Sequence, residues 1–468
     1  MQIPIVQGVF TDSGPDIRRA YPVNLVPTIL PNGVSNGYMR PAEGITKLTA
    51  APFTGVDRGG INWNGQCYRV IGNALYLVYQ DGSTLTIGDV GPGGQCTFDY
   101  SFDRLAIASG GRLYYYDGST LSQVTDPDLG TVVDFCWVDG YFFTTDGEFL
   151  VVTELSDPTQ VNPLKYASSE ADPDPVLAIV KLRNEVHVLN RNTIEVFDNI
   201  GGDFFPFQRI EGAQVQKGSV GTFSCCVFMD RVAFLGGGRN EAPAIYMAAS
   251  GGTQKLSSNE VDELIGDYTE AELSLVILEA RKFKDHELLY VHLPDRTLVF
   301  DGIASQQAGQ PVWFVLTSSA VGFAKYRARN FVYCYDKWIC GDTTIGQVGY
   351  LDESIGSHWG EKVRWELSTP IVYNESNGGI FHELELVSLT GRTEFGIDTQ
   401  VWTDYSTDGI SWSQPRYISV GKTGETRKRL VWRRQGFMRN FRIQRFQGTT
   451  DARISILRLE AQIEPLNG

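Results

Sequence analysis

The chain is poor in the groups that carry out chemistry. It has five histidines in 468 residues, His187, His286, His292, His358 and His382, and none falls in an HExxH or HxH pattern. Seven cysteines include no CxxC pair, which removes the usual zinc and redox motifs. The reading for them is free thiols packed in a reduced interior. No Walker A, GxSxG or dinucleotide-type glycine motif occurs. The glycines Gly236, Gly237 and Gly238 are read as a β turn with no helix behind them, unsuited to cradling phosphate. No catalytic residue, cofactor or metal site is expected. His286 and His292 share one strand face by even spacing, which a hairpin's polar face accounts for without a metal.

Long apolar runs are missing too. Nothing approaches about 18 uninterrupted apolar residues, so no membrane span is expected. The opening MQIPIVQGVFTDSGPD has neither a basic start nor an apolar run of signal-peptide length, so synthesis in a cytoplasm without a cleaved export signal is expected. Positive charge is scarce overall: 40 Lys and Arg stand against 55 Asp and Glu, a net charge of −15. A protein that coats DNA is ordinarily basic, because phosphate neutralisation supplies nonspecific affinity.

What is present points to β structure. Glycine is frequent at 50 residues, and aromatics reach 12%. A loose repeat begins with NGQCYRVIGNALYLV at Asn64 and recurs from Asp103, Asp139, Asn184, Asp230, Asp285 and Asp336. Successive starts lie 39, 36, 45, 46, 55 and 51 residues apart. Each unit reads as a hairpin of apolar strands joined by Gly, Asn or Asp turns. Spacing of this size suits four-stranded propeller blades, which must stack around a ring to bury both faces. The competing architecture is an irregular stack of β-sandwiches.

The expected fold is therefore all-β. A Pro-rich extended N-terminal arm covers residues 1–59, a β-propeller of about seven blades covers 60–358, and an antiparallel β-sandwich covers 359–468. Pro4, Pro15, Pro22, Pro27, Pro31 and Pro41 interrupt regular structure in the arm. Residues 257–283 break the β pattern. Ser258 opens an amphipathic helix there, Thr269 and Glu272 form a capping box, and β pattern overrides a second helix through SLVIL. In the C-terminal part, STDGISW is one residue short of a sialidase-type Asp box and reads as a tight hairpin over Trp412.

Charge is unevenly placed. Residues 416–468 carry 12 basic and 4 acidic residues, a net of +8, and the remainder carries −23. Within this region, TRKRLVWRRQGFMRNFRIQRF (426–446) holds eight cations and no acid. Alternation in FRIQRF places Phe441 and Ile443 on one side, with Arg442 and Gln444 on the solvent side. The segment's aromatics fit a sandwich core. Its cations require anions from DNA phosphates or from a neighbouring acidic chain. An assembly surface is the preferred reading. The candidate subunit or adaptor contacts are Arg427, Lys428, Arg429, Arg433, Arg434, Arg439, Arg442 and Arg445.

Five stretches, in order, carry a resemblance: SNGYMRPAEGITK (35–47), VQKGSVGTFSC (215–225), FKDHELLYVHLPDRTLVFDG (283–302), ICGDTTIGQVGYLD (339–352) and WRRQGFMRNF (432–441). Together they resemble the packaged-DNA stabilisation proteins of short-tailed bacteriophages, which form the tail hub or nozzle. The resemblance implies a non-enzymatic virion protein made in the host bacterial cytoplasm. It implies a homohexamer below the head-to-tail adaptor ring of the portal assembly, extending the DNA channel without sequence specificity. It also implies contact with the tail needle or plug and with tailspikes, and retention of packaged DNA for later ejection. The alternative is a carbohydrate-binding or glycoside-hydrolysing propeller acting on host surface sugars. That alternative requires an acid pair and stacking aromatics in one pocket.

Overall fold

Seven hairpin turns, each at the start of one sequence repeat, set the architecture. In the computed structural model Asn64-Gly65, Asp139-Gly140, Met229-Asp230 and Tyr335-Asp336 all have positive φ at both positions. Two such residues in succession make the tight turn whose twist matches antiparallel strands, which is why Asn, Asp and Gly recur there. Each turn joins two neighbouring strands of an antiparallel sheet, and there are seven such blades; six have four strands and the fifth has five, because Gly218–Ser219 and Cys225–Phe228 both pair with Arg231–Gly237. The structure describes residues 2–3, 21–30, 37–169, 172–202, 204–249, 251–374, 377–393 and 395–466. Pro4, Pro15 and Pro31 of the N-terminal segment lie outside these.

The innermost strands are Asp57–Trp63, Thr97–Tyr100, Asp134–Val138, Val176–Leu182, Cys225–Phe228, Ile277–Phe283 and Ala328–Cys334. They neighbour one another in that order, and the last meets the first, so the ring closes. Each of the seven gaps between blades holds its own apolar cluster. Phe135 and Phe142 fill the gap between blades two and three, and Val332 and Ile339 meet Cys67 and Ile71 between blades seven and one. Each such buried side chain contributes about 1.5–3 kcal/mol. Five of the seven cysteines are buried and Cys225 and Cys226 are half-buried; all are free thiols.

An inner strand has an unpaired edge, whose N–H groups need acceptors. Carboxylates of neighbouring blades supply several. Asp99 accepts from Trp137 N–H at 2.6 Å, Asp134 from Ile179 N–H at 2.7 Å, and Glu279 from Asn330 and Phe331 N–H at 2.8 and 2.7 Å. Where blade seven meets blade one, Arg69 makes a buried bidentate pair with Asp57 at 2.7 and 2.8 Å.

Blade seven takes three strands from Ala328–Asp352 and its fourth from Gly44–Lys47, far earlier in the chain. The unequal repeat spacing also has causes. Helices Asn259–Gly266 and Glu270–Leu273 lengthen the approach to blade six, and helix Gly302–Ala308 lies inside it. Thr269 and Glu272 make both bonds of the capping box. Ser258 is the first helix's N-cap residue but makes no cap bond; its hydroxyl meets Tyr21 Oη at 3.0 Å. The strand Ile277–Phe283 follows in place of further helix. The expected turn at Gly236–Gly238 is corrected: Gly236 and Gly237 belong to strand Arg231–Gly237. A Cβ on Gly236 would collide with the Gly218 carbonyl of the paired strand, so close backbone approach is what glycine serves there.

Beyond the propeller, two antiparallel sheets enclose a separate core that includes Trp365, Phe381, Leu384, Trp432 and Phe446. The larger sheet orders Leu25–Ile29, Gly37–Pro41, Ser455–Pro465, Gly379–Leu389 and Leu430–Arg433. The smaller orders Arg364–Ser368, Phe441–Thr449, Gln400–Ser406 and Arg416–Ser419. Residues 22–24 join sandwich to propeller. Val23 bridges Val315 of blade six on one side and Glu366 of the sandwich on the other. Asn24, at φ 51°, donates from Nδ2 to the Thr317 and Arg364 carbonyls at 3.0 and 2.7 Å, and its Oδ1 accepts from Thr317 N–H at 3.1 Å.

Candidate functional site

The cation-rich segment crosses from one sandwich sheet to the other. Leu430–Arg433 and Phe437–Met438 pair with Gly379–Leu389, and Phe441–Thr449 pairs with both Arg364–Ser368 and Gln400–Ser406. Between them the chain turns at Arg434 (φ 56°) and Gly436 (φ 82°). The turn is held by Arg434 N–H to the His382 carbonyl at 2.7 Å and by Arg416 Nη1, which donates to the Arg434 carbonyl at 2.7 Å.

The eight cations divide into three groups. Arg429, Arg433 and Arg445 find anions in their own chain. Arg429 pairs bidentately with Glu385 at 2.7 and 2.5 Å, Arg433 with Glu383 at 3.2 Å, and Arg445 with Asp404 at 2.9 and 2.7 Å. The expectation that all eight need outside anions is therefore corrected. The readable signal was FHELELV, an antiparallel neighbour with acids two residues apart. The Arg445 guanidinium also lies 3.8 Å over the Trp412 ring. Trp412 ends the Asp-box-like piece, where Asp408 accepts from Ile410 and Ser411 N–H at 2.8 and 2.7 Å. The connection from Ser406 to Arg416 is longer than the tight hairpin expected.

Arg442 forms the second group and corrects the strand phase. It has no exposed surface, and Gln444 is buried beside it. The inward face of Phe441–Thr449 carries Arg442, Gln444 and Phe446, opposite to the alternation expected. The Arg442 guanidinium is sandwiched between Phe381 and Tyr405, 4.2 and 3.8 Å from their ring centres. It donates to Gln444 Oε1 at 2.9 and 2.7 Å and to the Gln435 carbonyl at 2.6 Å. Burial lowers it to about 10. Aromatic faces and carbonyl dipoles thus substitute for a counter-ion. A residue so enclosed does not reach another chain.

Arg427, Lys428, Arg434 and Arg439 form the third group: they are exposed and pair with no acid among the described residues. The aromatics divide as well. Trp432 and Phe446 pack in the core with ring centres 5.4 Å apart, whereas Phe437 is 62% exposed between the two arginines of the turn. That exposed aromatic was not legible in the sequence.

The buried histidines His286, His292 and His358 have structural partners. His286 Nδ1 meets the buried Asp301 carboxylate, His292 lies 3.3 Å from Glu279 and 3.1 Å from Thr297 Oγ1, and His358 Nδ1 lies 2.9 Å from Ser318 Oγ. Burial lowers His187 to about 4 and His358 to about 3. Among the described residues no group of three or more His, Cys, Asp or Glu is disposed to hold a metal ion, and no helix is long and apolar enough to cross a membrane. A cavity of about 610 Å³ across blades two to four does place Phe102 and Trp137 beside Asp103 and Asp139. Hydrogen bonds from Arg104 and Ser101 hold Asp103 down at about 2, the opposite of the raised value a glycosidic general acid needs.

Known proteins match this chain along most of its length. Residues 1–356 match the family described as bacteriophage P22 Gp10, beta-propeller, and residues 364–464 match bacteriophage P22 Gp10, beta-sandwich. The tail hub protein gp10 of Salmonella phage P22 is 29% identical over 462 residues, covering 94% of each chain. Among solved structures, the Pan2 WD40 domain of Neurospora crassa aligns at TM-score 0.43 and 9% identity, over 66% of this chain and 96% of that one. PorZ of Porphyromonas gingivalis aligns at 0.40 and 12%, over 80% of this chain and 46% of that one. Built of seven blades and a sandwich, with both P22 Gp10 families matched in order, the chain belongs to the gp10 family of podophage tail hub proteins.

Proposed function

We propose that six copies of this chain form a ring below the head-to-tail adaptor, extending the DNA channel of the virion tail. The ring docks the tail needle and tailspikes, retains packaged DNA, and has no enzymatic activity. The observation that carries this reading is the match to a tail hub protein along 94% of both chains, propeller and sandwich together. The joint at residues 22–24 supports it mechanically, because a channel wall under pressure from packaged DNA benefits from two domains that share backbone hydrogen bonds.

The charge supports free passage of DNA. Six copies at −15 carry about −90, and a lumen of that sign resists adhesion of phosphate. Retention then rests on a physical plug and on assembly. Deleting the gene and imaging the particles tests the reading. Heads that package DNA and lose it, with missing tail tips, are expected. Complete tails that fail only in host attachment would replace the hub reading with the sugar-binding one.

A further inference from the structure

We infer that adjacent copies meet through one specific pair of surfaces: Phe437, flanked by Arg434 and Arg439, seats in a cavity on the outer edge of blade three of the next copy. This rests on the ring reading above and adds the surfaces that build it.

The donor is a rigid knob. Met438 is 2% exposed and anchors the two-residue strand, which holds the neighbouring Phe437 ring outward at 62% exposure. Phe437 pairs with Ile380 across the strand, and Phe381 N–H donates to the Gly436 carbonyl at 2.8 Å. An exposed aromatic between two cations without acidic partners has the composition of an interface hot spot.

The acceptor is complementary in shape and charge. Among the described residues the outermost strand of blade three, Val161–Ser168, has no strand on its far side. Leu164 and Tyr166 are 65% and 57% exposed along it. Beside it lies a cavity of about 330 Å³ whose walls include Leu129, Phe149, Val151 and Tyr166 and whose rim includes Asp128 and Asp146. The carboxylates of Asp128 and nearby Glu148 have no cationic partner among the described residues, while Lys165 in the wall is held by Glu154 at 2.8 Å. Pro163 within the edge strand disfavours pairing with an added strand, so side-chain docking suits this edge.

The sandwich attaches along blade six through Val23, and blade three stands three blades away in a ring of seven. Donor and acceptor thus belong to different parts of one subunit, the sandwich and a blade three positions from its joint. Such a contact is head-to-tail and propagates until a ring closes. The +8 of residues 416–468 facing the −23 of the remainder favours the same encounter over distance.

The test is charge reversal in phage lacking the native gene, read as the amount of this chain in purified particles. Arg434→Glu with Arg439→Glu, and separately Asp128→Arg with Glu148→Arg, are each expected to lower incorporation at least about tenfold. Combining all four is expected to restore it. Thermal unfolding of each purified chain should match the native protein, because all four side chains are exposed. Native incorporation of either pair alone overturns the proposal. So does a loss that the combination does not rescue, which would assign the knob to another tail component. Absence of the native chain itself from tails would instead overturn the hub reading on which the proposal rests.

Discussion

Gly341 of blade seven stands where any Cβ would collide with the carboxyl of Asp57 in blade one. The missing side chain makes room for blade one's Asp57–Arg69 ion pair at the ring closure, which Asn330 of blade seven joins through Nδ2 at 2.6 Å. The glycine of ICGDTTIG is thus a packing requirement of the closed ring.

Gly341→Ala should therefore lower the melting temperature sharply. Displacing Asp57 leaves Arg69 buried and unpaired, a change that costs about 3–5 kcal/mol. In a background of Asp57→Gly the same alanine should cost far less. Thermal unfolding of the four chains checks this, and equal losses in both backgrounds would refute the collision.

Asn24→Gly keeps the positive φ but removes three hydrogen bonds at the joint between propeller and sandwich. A loss of about 1–3 kcal/mol is expected from the unpaired groups. Calorimetry should show the sandwich and propeller transitions separating. An unchanged single transition would show that the joint depends on other contacts.

Asp134 is buried among inner strands, and desolvation pushes it up to about 7, with nearby Asp99 adding to the rise. A carboxyl that keeps its proton longer when folded makes stability fall as pH rises from its ordinary value near 3.8 to about 7. His358, lowered to about 3, acts oppositely: its contribution is lost as pH falls below 6.5. The informative quantity is thus the difference between native protein and Asp134→Asn. The variant should gain relative stability between pH 5 and 8, on the order of 1–3 kcal/mol. A pH-independent difference in melting temperature would contradict this.

Arg442→Ala should destabilise the sandwich by about 3–5 kcal/mol, since it leaves a cavity between two rings and an unpaired Gln444 carbonyl. Arg442→Met refills the volume and should recover a large part of that loss. Both are read by denaturant unfolding. Equal losses would show that charge matters there more than volume.

The repeat was legible because local turn chemistry imposes it. Asn64, Asp139 and Asp230 each stand at a turn needing positive φ, which is a property of two or three residues and independent of the rest of the chain. The capping box at Thr269 and Glu272 was readable for the same reason. The basic segment was located correctly, yet its eight cations looked equivalent. Their differences arise from partners 40 to 50 residues away, such as Glu385 for Arg429 and Glu383 for Arg433.

The hairpin turns of the repeat and the charge imbalance were thus determined by the sequence alone, through local backbone preferences and composition, whereas the count of seven blades came with the closed ring. Tertiary structure alone decided which early strand closes blade seven, where residues 22–24 insert, and which face of Phe441–Thr449 points inward. A strand's alternation specifies two faces but not which one is covered. Here Phe381 and Tyr405, from two different sheets, make the arginine face the interior one.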